Sequence, residues 1–211
     1  MRSKQNLILV NESDEQVGCG EKMDIHRKNL LHRAFSIFIF DWKTGKMLLQ
    51  RRASGKYHSG GLWTNACCSH PHINERMDVC LSNRLQAELG LNLNLHIVDP
   101  NERKHLSNDT DAIYTCGKFI YQASFGEISE HEIDHVFLYC PVTSRLNSLE
   151  FAFNPEEIAE LQWVSIEEIK SWLNQRPEDF TVWFKPAFDL AYEGLGLLAE
   201  QRKIDVKCVC K

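Results

Sequence analysis

In the run EISEHEIDHVFLYC, Glu130 and Glu132 stand two residues apart, so on a strand both carboxylates point to the same face. Like charges held that close disfavour joint ionisation, and a cation between them removes the penalty. The plainer alternative is a pair of glutamates on the wet face of a strand. His131 belongs to the opposite face, and His135 completes the run. A second concentration of reactive side chains lies in WTNACCSHPH, where Cys67, Cys68, His70 and His72 crowd a polar loop around Pro71. Such loops beside a rigid element are where chemistry concentrates. Four N and S donors there allow a structural zinc site, although adjacent cysteines fit one tetrahedral ion poorly. His26 and His32, six residues apart in GEKMDIHRKNLLH, add two imidazoles that suit either a metal or an exposed surface. Arg51, Arg52 and Lys56 supply three cations at a strand end. Guanidinium forks match phosphate oxygens and an ammonium adds point charge, so the trio is either a diphosphate clamp or a solvated loop.

The elements that must hold these groups are legible from periodicity. Met77, Leu81, Leu85 and Leu89 recur every fourth residue and predict a helix, with Gly90 as its left-handed C-cap. Glu88 lies beside that apolar stripe and needs a partner, either Arg84 one turn earlier or a metal-bound phosphate. Leu7–Val10 reads as a first strand followed by a turn over 11–16, and residues 20–32 form a polar segment. Ala34–Phe40 is apolar throughout and predicts a buried strand, with Met47–Gln50 returning as its hairpin partner after DWKTG. Gly60 and Gly61 allow a sharp turn before Trp63. Beyond the helix come a polar connection over 92–104, a strand over 113–121, and a short strand over 161–164. Ser165 with Glu168 forms a capping box that opens a helix running to Asn174. Phe180, Trp183 and Phe184 are displayed on a loop before an amphipathic C-terminal helix from Pro186, and tryptophan is more often a packing residue than a site residue. Strand pairs alternating with helices fit an α/β or α+β sandwich.

The composition bounds the rest. With 211 residues, 43% hydrophobic and 25% charged, the chain can bury one good core and is read as one domain over 1–211. No apolar run reaches membrane-spanning length, and the start lacks a signal-peptide pattern, so a cytoplasmic protein is expected. Eight cysteines are then expected to be reduced. Cys208 and Cys210 in the tail receive no role. A net charge of −5 argues against general nucleic-acid binding and confines any anion site to a local basic cluster.

Counting back from Glu88-Leu89-Gly90-Leu91 puts Glu75 and Ser69 where a Nudix box, G-x5-E-x7-R-E-U-x-E-E-x-G-U, has its first Glu and first Gly. Asn83, Arg84 and Ala87 stand where that box has Arg, Glu and Glu. The chain therefore resembles a Nudix protein stripped of most of the acids a diphosphate hydrolase uses to hold magnesium. Together with TNACCSHP, the pattern resembles the type I isopentenyl-diphosphate isomerases, a non-hydrolytic Nudix branch. The order GEKMDIH, LLHRAFS, LLQRR, WTNACCSHP, AELGL, EHEID and WFK carries this resemblance from Lys22 to Lys185.

The resemblance implies a Nudix-type sandwich of mixed β-sheets flanked by helices, and a small-molecule substrate bound by a monomer. It implies that His26, His32, His70, Glu130 and Glu132 surround one divalent metal, for which three imidazoles and two carboxylates favour Zn²⁺ or Mn²⁺ over Mg²⁺. It places Glu88, with the backbone carbonyl of Cys68, on a Mg²⁺ that bridges the substrate diphosphate. Lys22, Arg51, Arg52, Lys56 and Ser69 would contact the diphosphate. Glu132, assisted by Tyr121, would protonate the alkene. Cys68, which rather than Cys67 stands two before His70, would take the second proton, and Trp183 would lie over a carbocation. A Nudix diphosphate hydrolase is the alternative, disfavoured by Arg84 and Ala87, and a zinc-stabilised binding module is the third reading.

Overall fold

The ten residues of β3 (His32–Asp41) are apolar on both faces over their second half, and a strand of that kind must be covered on both sides. The computed structural model describes residues 6–101, 111–141 and 151–202 and shows how this is done. Phe35, Ile37 and Ile39 point to one face, where Leu81, Leu85 and Leu89 of α2 (Met77–Leu89) pack against them. Phe38 and Phe40 point to the other, against Phe184, Ala187, Phe188 and Ala191 of the last helix, α4 (Phe184–Arg202). Each layer buries several large side chains, worth about 1.5–3 kcal/mol apiece in transfer from water.

The remaining elements follow from this centre. The chain runs β1 (Asn6–Val10), β2 (Gln16–Glu21), α1 (Lys22–Arg27), β3, β4 (Lys46–Arg52), β5 (Trp63–Thr64), β6 (Cys67–Ser69) and α2. It continues through β7 (Leu95–Val98), β8 (Asp111–Phe125), β9 (Ile128–Tyr139), β10 (Ile158–Ser165) and α3 (Ile166–Gln175), then a 3₁₀ turn (Pro177–Asp179) and α4. The sheet order is β10-β4-β3-β9-β8-β7, with β3 and β9 parallel and β8 and β9 antiparallel, so the sheet is mixed. β9 lies along one edge of β3. The other edge is shared by β1 at His32, β6 at Phe35–Ile37 and β4 at Phe40–Asp41.

That sharing corrects the expected hairpin. β4 pairs with β3 through two residues only, because β6 occupies the next stretch of the edge, and β4 peels away to pair with β10 and β5. The polar segment over 20–32 also hides two elements, the end of β2 and the helix α1. Six residues are too few to show a helical stripe, yet Glu21 caps α1 by accepting from Asp24 N, and Ile25 and His26 are buried. The aromatic loop is buried rather than displayed: Phe180, Trp183 and Phe184 are each at most 5% exposed. α4 begins two residues before Pro186, which falls in the first turn where its missing N–H costs nothing. The connection over 92–104 contains β7, and residues 102–104 lie outside the described residues, as do Cys208 and Cys210.

Other expected features take their places directly. Ser165 and Glu168 form the reciprocal capping box, Ser165 Oγ accepting from Glu168 N at 3.3 Å and Glu168 Oε2 from Ser165 N at 3.0 Å. A Cβ at Gly60 would stand 2.6 Å from the Ser54 carbonyl, which fixes the tight return before β5. Gly90 ends α2 with φ +74, and a Cβ there would meet the Ala152 carbonyl at 2.9 Å. Gly90→Ala is therefore expected to cost about 1–3 kcal/mol, from left-handed strain and the close approach together, read as a lowered midpoint in thermal or urea unfolding. An unchanged midpoint would contradict the cap geometry. No helix among the described residues is long and apolar enough to cross a membrane.

Candidate active site

The face of β3 that carries Phe38 and Phe40 continues toward the start of the strand as Ser36, Ala34 and His32. There the helical cover stops and a cavity of about 710 Å³ opens. Strand register does most of the positioning. His32 pairs with Glu132 of β9, and Glu132 pairs with Tyr121 of β8, so three functional side chains form a row across three strands. Period-two alternation adds Glu130 and Asp134 to the same face. From the other edge of β3, Cys68 pairs with Ser36 on β6, and His70 follows two residues later. α1 delivers Lys22 to the cavity and His26 beside it.

His26, His32, His70, Glu130 and Glu132 offer ligand atoms that all lie within 4.8 Å of one another. His26 Nε2 and His32 Nε2 lie 3.1 and 3.8 Å from Glu130 Oε2, and His32 Nε2 is 3.4 Å from Glu132 Oε1. His70 Nε2 is 2.6 Å from the same Glu132 oxygen. The tautomers are set from outside. Nδ1 of His26 is 2.6 Å from the Lys22 carbonyl and Nδ1 of His32 is 2.8 Å from the Leu30 carbonyl. A carbonyl only accepts, so both Nδ1 atoms carry hydrogen, and in their neutral form both rings present Nε2 lone pairs to the centre. Nε2 of both rings and Oε2 of Glu130 are buried without a hydrogen-bond partner. Orphaned lone pairs converging on one point are what a cation would satisfy, so the residues fit a divalent metal. Cys67, Cys68 and His72 do not belong to this cluster, and no zinc-ligating group is built from them among the described residues. His72 instead donates its backbone N–H to Glu75, and Cys67 is buried beside Glu88. His131 contacts the Asn29 carbonyl and His135 contacts Asp14, both away from the cavity.

Proton inventory separates the two sides of the site. Burial pushes the Cys68 thiol up to about 12, against the pull of the Arg52 guanidinium, whose Nη1 donates to Cys68 Sγ at 3.6 Å. Cys68 therefore rests as a neutral thiol. Burial opposes ionisation of Glu132, but neighbouring His70 and His32 hold its carboxyl well below the usual carboxylate range. Burial brings His70 down to about 4, against the opposing pull of Glu132. Tyr121 is pushed well above its ordinary value by burial and then by Glu132 and Glu130, and its O–H donates to Glu132 Oε2 at 2.6 Å.

The anion side of the cavity is lined by Lys22, Arg52, Lys56, Ser69, Arg84, Glu88 and Glu157. Lys56 is paired with Glu157, and Arg84 Nη2 donates to Glu88 Oε1 at 3.1 Å. Glu88 is buried, which raises its carboxyl against the Arg84 charge, so its end of this helical ion pair lies in the interior. Arg51 is the exception among the expected phosphate contacts. Alternation along β4 turns it to the opposite face from Arg52, where it meets Glu160 and the Gly61 carbonyl, and it does not line the cavity. Trp183 does line it and presents its ring to Arg52 at 5.3 Å. Asp134, buried and bonded by Ser36 Oγ at 2.8 Å, joins the cavity as the next member of the period-two series of Glu130 and Glu132, the signal that marks it in the sequence. His58 and Glu157 sit in loops where no spacing marks them.

Residues 30–184 match the NUDIX domain family. The chain is 38% identical to the isopentenyl-diphosphate Delta-isomerase 2 of Photorhabdus laumondii over 90% of this chain and 94% of that protein. It is 39% identical to the isopentenyl-diphosphate Delta-isomerase of Serratia proteamaculans, over 84% of this chain and 86% of that protein. Among solved structures, one from Deinococcus radiodurans aligns with a TM-score of 0.57 at 16% identity, covering 82% of this chain and 90% of its own. A MutT protein from Methanosarcina mazei aligns with a TM-score of 0.54 at 18% identity, covering 77% and 94%. At those identities the likeness concerns the fold.

Proposed function

Because the chain belongs to the NUDIX family and, within it, to the isopentenyl-diphosphate Delta-isomerases, we propose that its cavity is the site where isopentenyl diphosphate is turned into dimethylallyl diphosphate. The observation that carries the reading is the placement of Cys68 on β6 and Glu132 on β9, at opposite edges of β3, with Tyr121 of β8 donating to Glu132, in one cavity with a basic wall. The enzyme moves a C=C bond by adding one proton and removing another. Its alkene is unactivated, so protonation makes a tertiary carbocation that water would trap.

In this reading a proton shared by Tyr121 Oη and Glu132 goes to the terminal methylene carbon of the substrate. A proton of the carbon next to the cationic centre then leaves to Cys68 Sγ. Cys68 rests as a thiol, so its proton passes first to solvent water in the cavity, which leaves the thiolate that accepts this one, and the Arg52 guanidinium at 3.6 Å favours that thiolate. Trp183 lines the cavity, and its π system is the group proposed to stabilise the carbocation. His26, His32, His70, Glu130 and Glu132 would hold a Zn²⁺, Mn²⁺ or Mg²⁺ ion, which would supply the positive charge that lets both carboxylates stay buried. Glu88 and the Cys68 carbonyl are the ligands proposed for a Mg²⁺ carried by the diphosphate, with Lys22, Arg52, Lys56 and Ser69 as its direct contacts. Arg51 is left out of that set by its orientation. We read residues 1–211 as one cytoplasmic, monomeric domain acting on a small molecule, and the net charge of −5 supports no role for nucleic acid.

Proton NMR in heavy water with isopentenyl diphosphate and Mg²⁺ tests the function. Deuterated dimethylallyl diphosphate with its diphosphate intact is expected, whereas phosphate release with the alkene unmoved would make this a hydrolase. Arg52→Ala is expected to raise KM about tenfold or more with a smaller change in kcat, since a charged hydrogen bond to phosphate acts on ground and transition states alike. A rate loss at unchanged KM would move Arg52 from phosphate binding to the tuning of Cys68.

A further inference from the structure

His58 lies in the loop between β4 and β5 and is 8% exposed, although no ligand set includes it. Its Nε2 stands 2.7 Å from Glu130 Oε1, the oxygen that does not face the histidine cluster. The other oxygen, Oε2, is the one aimed at His26 and His32. The two oxygens of Glu130 are thus divided between a loop histidine and the metal cluster. A carboxylate's last torsion is broad and roughly twofold, so without an outside partner Glu130 could turn either oxygen, or both, toward an ion. The His58 ring is itself fixed. It stacks on Phe125 at the end of β8 with centroids 4.6 Å apart at 24°, and Nδ1 is 3.1 Å from Ser59 Oγ. Arg52 Nη2 reaches the His58 carbonyl at 3.5 Å, and Lys56 is two residues earlier in the same loop.

We propose that His58 is a positioning residue that fixes Glu130 for single-oxygen ligation and ties the metal centre to the loop bearing the phosphate-binding Lys56. The inference rests on the proposed metal centre and extends it by one residue outward. Partners of this kind are typically worth ten- to a hundredfold in metal affinity.

The test is a calorimetric titration of Mn²⁺ into chelator-stripped protein, without substrate. In His58→Gln the side-chain amide extends as far as imidazole Nε2 and can still donate to Glu130. In His58→Asn it extends only as far as Nδ1 and cannot. His58→Gln is expected to bind Mn²⁺ within about threefold of the unaltered protein and His58→Asn at least about tenfold more weakly, with similar melting temperatures for the two stripped variants. Equal Mn²⁺ affinities in the two variants, whether both tight or both weak, would overturn the assignment. His32→Ala in the same titration separates the two levels. If it keeps its Mn²⁺ the centre itself is misplaced and both readings fall, and if it loses Mn²⁺ while the His58 variants match, only the role of His58 falls.

Discussion

Cys68→Ala is expected to lower kcat for isopentenyl diphosphate by about 10³-fold or more, within or beyond the usual range for loss of a positioned proton-transfer group. KM and metal content should stay near those of the unaltered protein. Cys68 lies on β6 opposite Ser36, and its Sγ accepts from Arg52 Nη1, so shortening it to alanine removes no cap, ion pair or core-cluster contact. Cys67, one residue earlier, serves as the control. It is fully buried in the α2 layer beside Glu88, faces away from the cavity, and its thiol is pushed well above the usual range by burial. Cys67→Ala should therefore cost stability with turnover largely kept. Steady-state rates and melting curves for both variants decide the matter, and a Cys68→Ala enzyme with near-normal kcat would remove that thiol from the reaction.

Glu132→Gln is expected to lower kcat by about 10³-fold or more as well, for a compound reason that metal titration can resolve. Glu132 touches His32, His70 and Tyr121 at once, so the amide disturbs a ligand and a proton carrier together. Loss of one ligand alone would weaken metal binding and be repaired by excess ion. Loss of the proton carrier would not. With turnover measured at metal concentrations that saturate the variant, the rate is expected to stay low. Recovery of the rate at high metal would reduce Glu132 to a ligand and shift the donor to Tyr121.

What the sequence shows of the fold and of the candidate site is what a period or an unbroken apolar run can mark. Glu130 and Glu132 declared their common face through period two, and Met77 to Leu89 declared α2 through a four-residue recurrence. The buried strand showed itself by unbroken apolarity. Edge sharing left no such mark: β6 is three residues long, and nothing in CCS says that it displaces β4 from the edge of β3. α1 is a single helical turn and a half whose ends are set by Glu21 and by the carbonyls of Asp24 and His26, interactions too local to print a pattern. Arg51 and Arg52 were read together because adjacency looks like a cluster, while a strand places neighbours on opposite faces. His58 and Glu157 are brought to the cavity by tertiary contacts alone.

On β3, His32 of the ligand cluster, Ala34 of the cavity wall and Phe38 and Phe40 of the core share one side of one strand, measured off by one parallel alignment with β9. Sliding that alignment by a single residue would put Arg33 where His32 belongs and take His32 out of the ligand cluster, while also turning Ile37 and Ile39 off α2. Catalytic fidelity and folding fidelity are thus read from the same ruler. A misregistered chain forfeits its core along with its chemistry, so this architecture leaves no well-packed but inactive isomer into which the protein could settle.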